Sequence, residues 1–240
     1  MTTDLGLRER KKQQTRQQLA ETARRLFVER GFDSVTVADV AKEVDVAVAT
    51  VFNYFPTKED LFYSGMESFE AQLLAAVADR PARESVLAAF RRVVLEGTPR
   101  LATDEALENI KAATRVVGAS RSLQAREREI VAGYTDEFAQ LIAKETGRPE
   151  GDVEAASVAA ALMGAQRALV AYVHARVLDG RRGRALATDA RAQAERAFAR
   201  LKHGLGDYAL RPREPPKHTR SSSREAAADS AGPRPQEMNR

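Results

Sequence analysis

Hydrophobic residues recur at intervals of three and four along most of this 240-residue chain, and no segment alternates between apolar and polar residues like a β-strand. Such spacing places apolar side chains on one face of a helix. The first stripe consists of Leu19, Ala23, Leu26 and Phe27. It lies within residues 8–30, and Gly31 follows in the position that commonly ends a helix. The pattern predicts an all-α protein.

Two short apolar sets follow, separated by a tight connection. The first is Val37, Val40, Ala41 and Val44, and the second, expected to form another buried face, is Val48, Val51, Phe52 and Phe55. Asp45 lies between the two sets, and a short polar residue tolerates the left-handed backbone of a turn. Two short helices joined by such a turn have the outline of a helix-turn-helix that reads DNA.

Proline and polar residues divide the remaining chain. Pro56-Thr57 should end the second motif helix and open a fourth helix running to about Val77, and Asp79-Arg80-Pro81 should stop it. Further helices are expected at about 85–95, 103–117, 123–146, 152–178 and 184–205. The predicted organisation is a flexible N-terminus at 1–7, a DNA-binding head at 8–55, a connecting helix at 56–80, a larger ligand-binding and dimerisation domain at 81–210, and a disordered tail at 211–240.

The segment 152–178 carries two apolar stripes instead of one. The bulky stripe is Leu162, Leu169, Val170, Val173 and Val177, and the small stripe is Ala161, Gly164, Ala165, Ala168, Ala171 and Ala175. Because small residues let a second helix approach closely, we expect one stripe to face the protein core and the other a partner. The alternative is a monomer in which this helix packs only internally. Segment 184–205 has a similar apolar pattern.

Charge is distributed unevenly along the chain. Residues 1–30 carry eight Lys and Arg against four acids, residues 211–240 carry seven against four, and the remainder of the +4 chain is slightly acidic. Basic segments favour a polyanion such as DNA. We expect this role for the residues beside the motif, which are Arg8, Arg10, Lys11, Lys12 and Arg16. For the tail we favour a solvated segment.

Several function classes are disfavoured by what the sequence lacks. The chain has no cysteine, and its histidines, His174, His203 and His218, have no metal-ligand spacing. It has no glycine-rich phosphate loop and no motif of a hydrolase or metalloprotease. It also lacks an unbroken run of about eighteen apolar residues. We therefore expect a cytoplasmic protein that is not an enzyme and has no cofactor, no metal site and no membrane partner.

The motif region resembles the TetR family of bacterial transcription regulators over roughly the first quarter of the chain. The matching residues are Leu26, Phe27, Gly31, Phe32, Thr36, Val37, Val40, Ala41, Val46, Thr50, Val51, Phe52, Tyr54, Phe55, Lys58, Glu59 and Leu61. Two positions depart from the family pattern, because Asp45 replaces the usual glycine and Ala47 the usual serine. The missing hydroxyl at Ala47 removes a helix cap, typically worth ~1 kcal/mol, and a phosphate contact.

The resemblance implies a homodimeric repressor that reads a pseudo-palindromic operator, with the helices at about 152–178 and 184–205 pairing with their copies in a second subunit. We assign phosphate contacts to Arg16, Thr36, Tyr54 and Lys58. Base reading falls to Ala47, Val48, Thr50 and Asn53. Since Ala47 and Val48 offer only apolar contact, suited to thymine methyl groups, we expect weak reading of guanine.

The resemblance also implies that the larger domain binds a small-molecule inducer, which shifts the fourth helix and releases DNA. Candidate lining residues are Phe90, Val94, Arg115, Tyr134, Phe138, Met163, Gln166, Arg167 and His174. Arg115, Arg121 and Arg167 favour an anion. The domain also resembles that of regulators responding to long-chain acyl-CoA thioesters, so the predicted inducer is an acyl-CoA or another apolar anion. The alternative is a ligand-independent architectural DNA-binding protein, which needs no apolar pocket.

Overall fold

A computed structural model of the chain describes residues 2–64 and 66–205, and the predicted tail at 211–240 lies outside these residues. Within the described ranges the chain forms ten α-helices, a 3₁₀ turn and no strand, so the all-α prediction is confirmed. The helices are α1 Thr2–Arg30, α2 Val37–Glu43, α3 Val48–Tyr54, α4 Lys58–Tyr63, α5 Met66–Ala78, α6 Val86–Gly97, α7 Asp104–Ala119, α8 Arg121–Thr146, α9 Val153–Leu178 and α10 Gly183–Leu205. The 3₁₀ turn, Thr98–Ala102, joins α6 to α7.

Two predicted boundaries differ from the structure. Helix α1 begins at Thr2, so residues 2–7 are helical where we predicted a flexible segment. No apolar stripe marks that region, and only Leu5 and Leu7 there are good helix formers, so local propensity does not predict this extension. The single helix predicted from Thr57 to about Val77 is described as α4 and α5. The Ser64 hydroxyl, in the turn after α4, donates to the carbonyl of Leu61 at 3.1 Å, a bond that competes with the helical ladder.

The head, formed by α1 to α4, encloses a compact aromatic core. Phe27 of α1 packs against Phe32 with ring centroids 4.9 Å apart, and Phe55 is buried at the end of α3. The predicted stripe of α1 is buried as a whole. This core also takes in Leu123 of α8, so it extends beyond the head itself.

A second core fills the larger domain between α5, α6, α8, α9 and α10. Its centre is Phe90 of α6, whose ring lies 5.5 Å from that of Phe138 on α8 and 6.0 Å from that of Phe198 on α10. Three aromatic residues from three helices therefore fix the arrangement of the bundle.

Helix α9 is long and apolar enough to cross a membrane by length and composition alone. Its most apolar window has a mean hydropathy of 1.3, and 28% of that window is buried. One face of the helix nevertheless supplies Val158, Ala159 and Leu162 to the larger core. That packing accounts for part of the hydropathy of α9.

A buried arginine holds the turn between α5 and α6. Arg80 is only 2% exposed, and its guanidinium donates to the carbonyls of Val77 at 2.7 Å and Glu84 at 3.0 Å. It also forms an ion pair with Glu145 near the end of α8. The turn is thereby fixed to the bundle at the predicted domain boundary.

Replacing Arg80 with methionine should lower the free energy of unfolding by about 3 kcal/mol, because it breaks a buried ion pair and leaves two carbonyls without their donor. Urea denaturation monitored by circular dichroism measures this change. The matched control is Arg91→Met at an exposed position of α6, which should change stability by less than about 0.5 kcal/mol. Equal effects of the two substitutions would contradict the anchoring role of Arg80.

Candidate nucleic-acid interface and adjoining cavity

Helix α2 begins with a capping box between Thr36 and Asp39. The Thr36 hydroxyl accepts from the Asp39 amide at 3.1 Å, and the Thr36 amide donates to the Asp39 carboxylate at 2.8 Å. The hydrogen bonds from Thr36 lower the pKa of Asp39, so this carboxyl stays ionised. Thr36, a predicted phosphate contact, is exposed, but its hydroxyl also donates to the Asp39 carboxylate.

The turn of the motif has the geometry that its sequence predicts. Asp45 adopts a left-handed backbone with φ +57°, and the Val46 amide donates to the carbonyl of Ala41 at 2.9 Å. Ala47 is the N-cap residue of α3 and makes no side-chain capping bond. Because the Asp45 side chain is short and polar, this residue tolerates a conformation that otherwise favours glycine.

Helix α3 presents a partly apolar face to the surface. Val51 and Phe55 are buried as predicted, whereas Val48 is 40% and Phe52 48% exposed. The expectation that Val48 and Phe52 belong to the buried set is therefore wrong. One residue corresponds to about 100° around a helix, which turns Phe52 away from the direction of Val51. Ala47, Ala49 and Asn53 are also exposed, and Thr50 and Tyr54 are partly exposed.

Arg16 fastens the end of α3. Its guanidinium donates to the carbonyl of Tyr54 at 2.9 Å and lies 4.5 Å from the centroid of the Phe55 ring. A cation at a helix C-terminus also complements the helix dipole. The structure thus gives this predicted phosphate contact a positioning role.

Lys58 fastens the start of α4 to the loop between α1 and α2. Its ammonium group donates to the carbonyls of Phe32 at 2.9 Å and Val35 at 3.0 Å, and it lies 4.1 Å from the centroid of the Phe32 ring. Two of its three donors are therefore engaged with the loop between α1 and α2. Only the third N–H of the Lys58 ammonium group can therefore donate to a DNA phosphate.

A network that sequence reasoning missed joins the head to α8. The guanidinium of Arg126 contacts the carboxylate of buried Asp60 through Nε at 3.0 Å and Nη2 at 2.9 Å. The Tyr63 hydroxyl donates to the carbonyl of Leu123 at 2.9 Å, and burial raises the pKa of that hydroxyl. These partners lie about 60 residues apart along the chain, so no local sequence pattern indicates them.

A cavity of about 660 Å³ lies in the larger domain between α5, α8 and α9, and a second of about 180 Å³ extends toward α6 and α7. Four residues line both cavities, which are Phe69, Gln166, Val170 and His174. Among the predicted ligand residues, Met163, Gln166, Arg167 and His174 line the larger cavity. Val94, Gln166 and His174 line the smaller one.

The other predicted ligand residues lie outside both cavities. Phe90 and Phe138 face inward, but they fill the core by packing against each other. Tyr134 packs against the same core. Arg115 is exposed on α7, where its charge remains hydrated. The structure does not bring together the three arginines from which we expect an anion site. Arg115 and Arg121 are exposed away from both cavities, and of the three only Arg167 borders a cavity.

Replacing Asp45 with glycine should raise the free energy of unfolding by about 1 kcal/mol, because glycine adopts the left-handed conformation without steric strain. Thermal and urea unfolding measure the effect. The matched control, Ala38→Gly on the exposed side of α2, should lower stability by about 1 kcal/mol, since that position is helical. A loss of stability in Asp45→Gly would show that the aspartate side chain itself supports the turn.

The amino-terminal part of the chain matches known proteins. Residues 19–64 match the family described as bacterial regulatory proteins, tetR family. The chain is 38% identical over 93 residues to the HTH-type transcriptional regulator TcmR of Streptomyces glaucescens, covering 37% of this chain and 41% of that protein. It is 54% identical over 46 residues to the HTH-type transcriptional regulator LuxR of Vibrio harveyi, covering 19% of this chain and 22% of that protein. These alignments therefore span less than half of either relative.

Solved structures show the same overall fold. NalD, the secondary repressor of the MexAB-OprM multidrug efflux pump in Pseudomonas aeruginosa, superposes with a TM-score of 0.51 at 21% identity, covering 79% of this chain and 96% of that one. GusR of Salmonella enterica gives a TM-score of 0.50 at 18% identity, covering 80% and 95%. The amino-terminal domain of the chain therefore belongs to the tetR family of bacterial regulatory proteins, and its larger helical domain shares the fold of these solved structures.

Proposed function

We propose that this protein is a homodimeric, cytoplasmic transcriptional repressor that binds a pseudo-palindromic operator and leaves it when a small molecule enters the cavity. The observation that carries the proposal is the exposed face of α3, whose C-terminal end is held by Arg16. A short helix presented in this way fits the major groove of DNA.

The exposed face of α3 suits apolar and hydrogen-bonding contacts with bases. Thr50 and Asn53 offer hydrogen bonds, with asparagine suited to adenine. Val48 and Ala47, together with Phe52, offer apolar contact to thymine methyl groups. Phosphate contacts are assigned to Thr36, Tyr54, Arg16 and Lys58. The exposed basic residues of α1 supply further positive charge, and they are Arg8, Arg10, Lys11 and Lys12.

The small stripe of α9 supports pairing with a second copy. Gly164, Ala168, Ala171 and Ala175 are exposed along this helix, while the opposite face packs in the core. The first three also line the larger cavity, so the cavity borders this surface. Exposed small residues allow close helix-helix approach. We assign the dimer interface to this surface and to the neighbouring α10. A twofold dimer then presents two copies of α3 to an inverted repeat.

The cavity favours a protein that senses a ligand over a ligand-independent architectural protein. Glu127 and Val131 of α8 line the cavity, one to two helical turns from Leu123, which lies in the core of the head. A ligand that prefers one position of α8 by a few kcal/mol would shift the heads between two spacings. The sequence predicts an acyl-CoA or another apolar anion, for which Arg128 and Arg167 are the cations at the cavity.

Selection and sequencing of genomic fragments retained by the protein at physiological salt tests DNA recognition, and one inverted repeat should be enriched. On that operator, Asn53→Ala should weaken binding by roughly tenfold to a hundredfold, because it removes a hydrogen bond to a base. Binding to unrelated DNA should not change, since phosphate contacts remain.

The control for this substitution is Asn109→Ala at an exposed position of α7, which should bind the operator like the unmodified protein. An equal loss of affinity for the operator and for unrelated DNA would show that Asn53 contacts phosphate and not a base. Retention of fragments without a shared sequence, lost at physiological salt, would favour the architectural alternative.

Replacing Ala175 with arginine should convert the dimer to a monomer, because a long charged side chain prevents close approach of the two α9 helices. Sedimentation velocity should show about half the mass, with unchanged helical content. Ala132→Arg, at an exposed position of α8, should remain dimeric. A dimeric Ala175→Arg protein would place the interface on another surface.

A further inference from the structure

One stripe of α9 joins the two cavities of the larger domain. Gln166, Val170 and His174 recur at every fourth position and line both cavities, with Phe69 of α5 as the other shared residue. Positions eight residues apart span about 12 Å along a helix. Any molecule that extends from one cavity into the other must therefore pass Gln166 and His174.

Gln166 has an unused hydrogen-bond acceptor at this passage. Its Oε1 atom is buried and accepts no hydrogen bond from any residue that the structure describes. A buried acceptor without a donor destabilises a protein, so its presence calls for an explanation. A ligand that brings a donor into the passage would satisfy it.

The charged groups of the larger cavity are Glu127, Arg128 and Arg167, which carry both signs. Both arginines are exposed and therefore border solvent. The ring of His174 stays uncharged at neutral pH, because burial lowers its pKa. The side chains shared by the two cavities consequently offer no cation to an anion.

The remaining wall of the passage is apolar except for Thr98, whose hydroxyl already donates to the carbonyl of Leu95. The larger cavity adds Leu73, Val131 and Met163, and the smaller one adds Ile110 and Val173. The volume of the larger cavity falls within the range of about 300–1,000 Å³ typical of small-molecule sites. Few polar groups in an apolar site fix the orientation and the specificity of a ligand.

We propose that the inducer is a neutral, mainly apolar molecule with a hydroxyl or N–H group that donates a hydrogen bond to Gln166 Oε1 between the two cavities. This inference rests on the proposed function, in which the cavity binds the inducer. It differs from the predicted acyl-CoA or other apolar anion, whose charge would have to remain among the exposed arginines.

The test uses two fluorescent probes and the full-length protein. The first probe, 1-aminoanthracene, is neutral at pH 7 and carries an N–H donor, and the second, N,N-dimethyl-1-aminoanthracene, lacks it. Fluorescence titration should show that the first probe binds about 5- to 50-fold more tightly, since only it can satisfy the buried acceptor. Competition by 1-dodecanol should exceed competition by lauroyl-CoA at equal concentration.

Gln166→Met should abolish the preference between the two probes, because methionine has similar length but no strong acceptor. Gln140→Met, exposed on α8 outside the cavities, should retain it. The melting temperature of Gln166→Met without probe should equal or exceed that of the unmodified protein, since the unsatisfied acceptor is gone. This measurement separates loss of the hydrogen bond from loss of the fold.

Equal or tighter binding of the dimethylated probe would overturn this inference and leave the cavity as a binding site. A preference that persists in Gln166→Met would overturn the role of Gln166, and stronger competition by lauroyl-CoA would overturn the neutral ligand. Failure of both probes to bind would overturn the inference and the sensor part of the proposed function together. Operator selection reports on DNA recognition separately.

Discussion

The burial of Leu123 in the core of the head determines how the two parts of this protein relate. This leucine belongs to α8 of the larger domain, yet it is fully buried among residues of α1 to α4. The hydroxyl of Tyr63 binds its carbonyl, and Arg126, one turn further along α8, binds Asp60. Apolar burial supplies the attraction, and the directional bonds fix the orientation. The start of α8 and helix α4 are therefore coupled.

This coupling gives the cavity a short route to the reading helix. Glu127 and Val131 line the cavity on the helix that carries Leu123. A helix transmits displacement along its axis because its backbone hydrogen bonds resist local bending. Displacement of α8 therefore acts on α4, and through Lys58 on the loop that precedes the motif. A ligand needs differential affinity for two positions of α8, and it needs no direct contact with the head.

The sequence predicted helices well and side-chain surroundings less well. Helices α6 to α10 are long, so their periodicity placed their ends within two residues of the observed ones. Helix α3 has seven residues, too few to define a stripe, and the exposure of Phe52 was missed. Periodicity also identifies inward residues without showing whether the space they face is filled. It could not separate core residues such as Phe90 from cavity residues such as Gln166.

The positions of Arg16 and Lys58 explain how α3 can act without a capping side chain. Arg16 binds the carbonyl of Tyr54 at the C-terminal end of α3, and Lys58 joins the start of α4 to the loop before α2, so the helix is held before DNA is present. Preorganisation reduces the entropy lost on binding. It also leaves these cations with fewer donors for phosphate. Since α3 itself has no Lys or Arg, electrostatic affinity must come mainly from the exposed basic residues of α1, whereas sequence preference must come from the small and apolar face of α3.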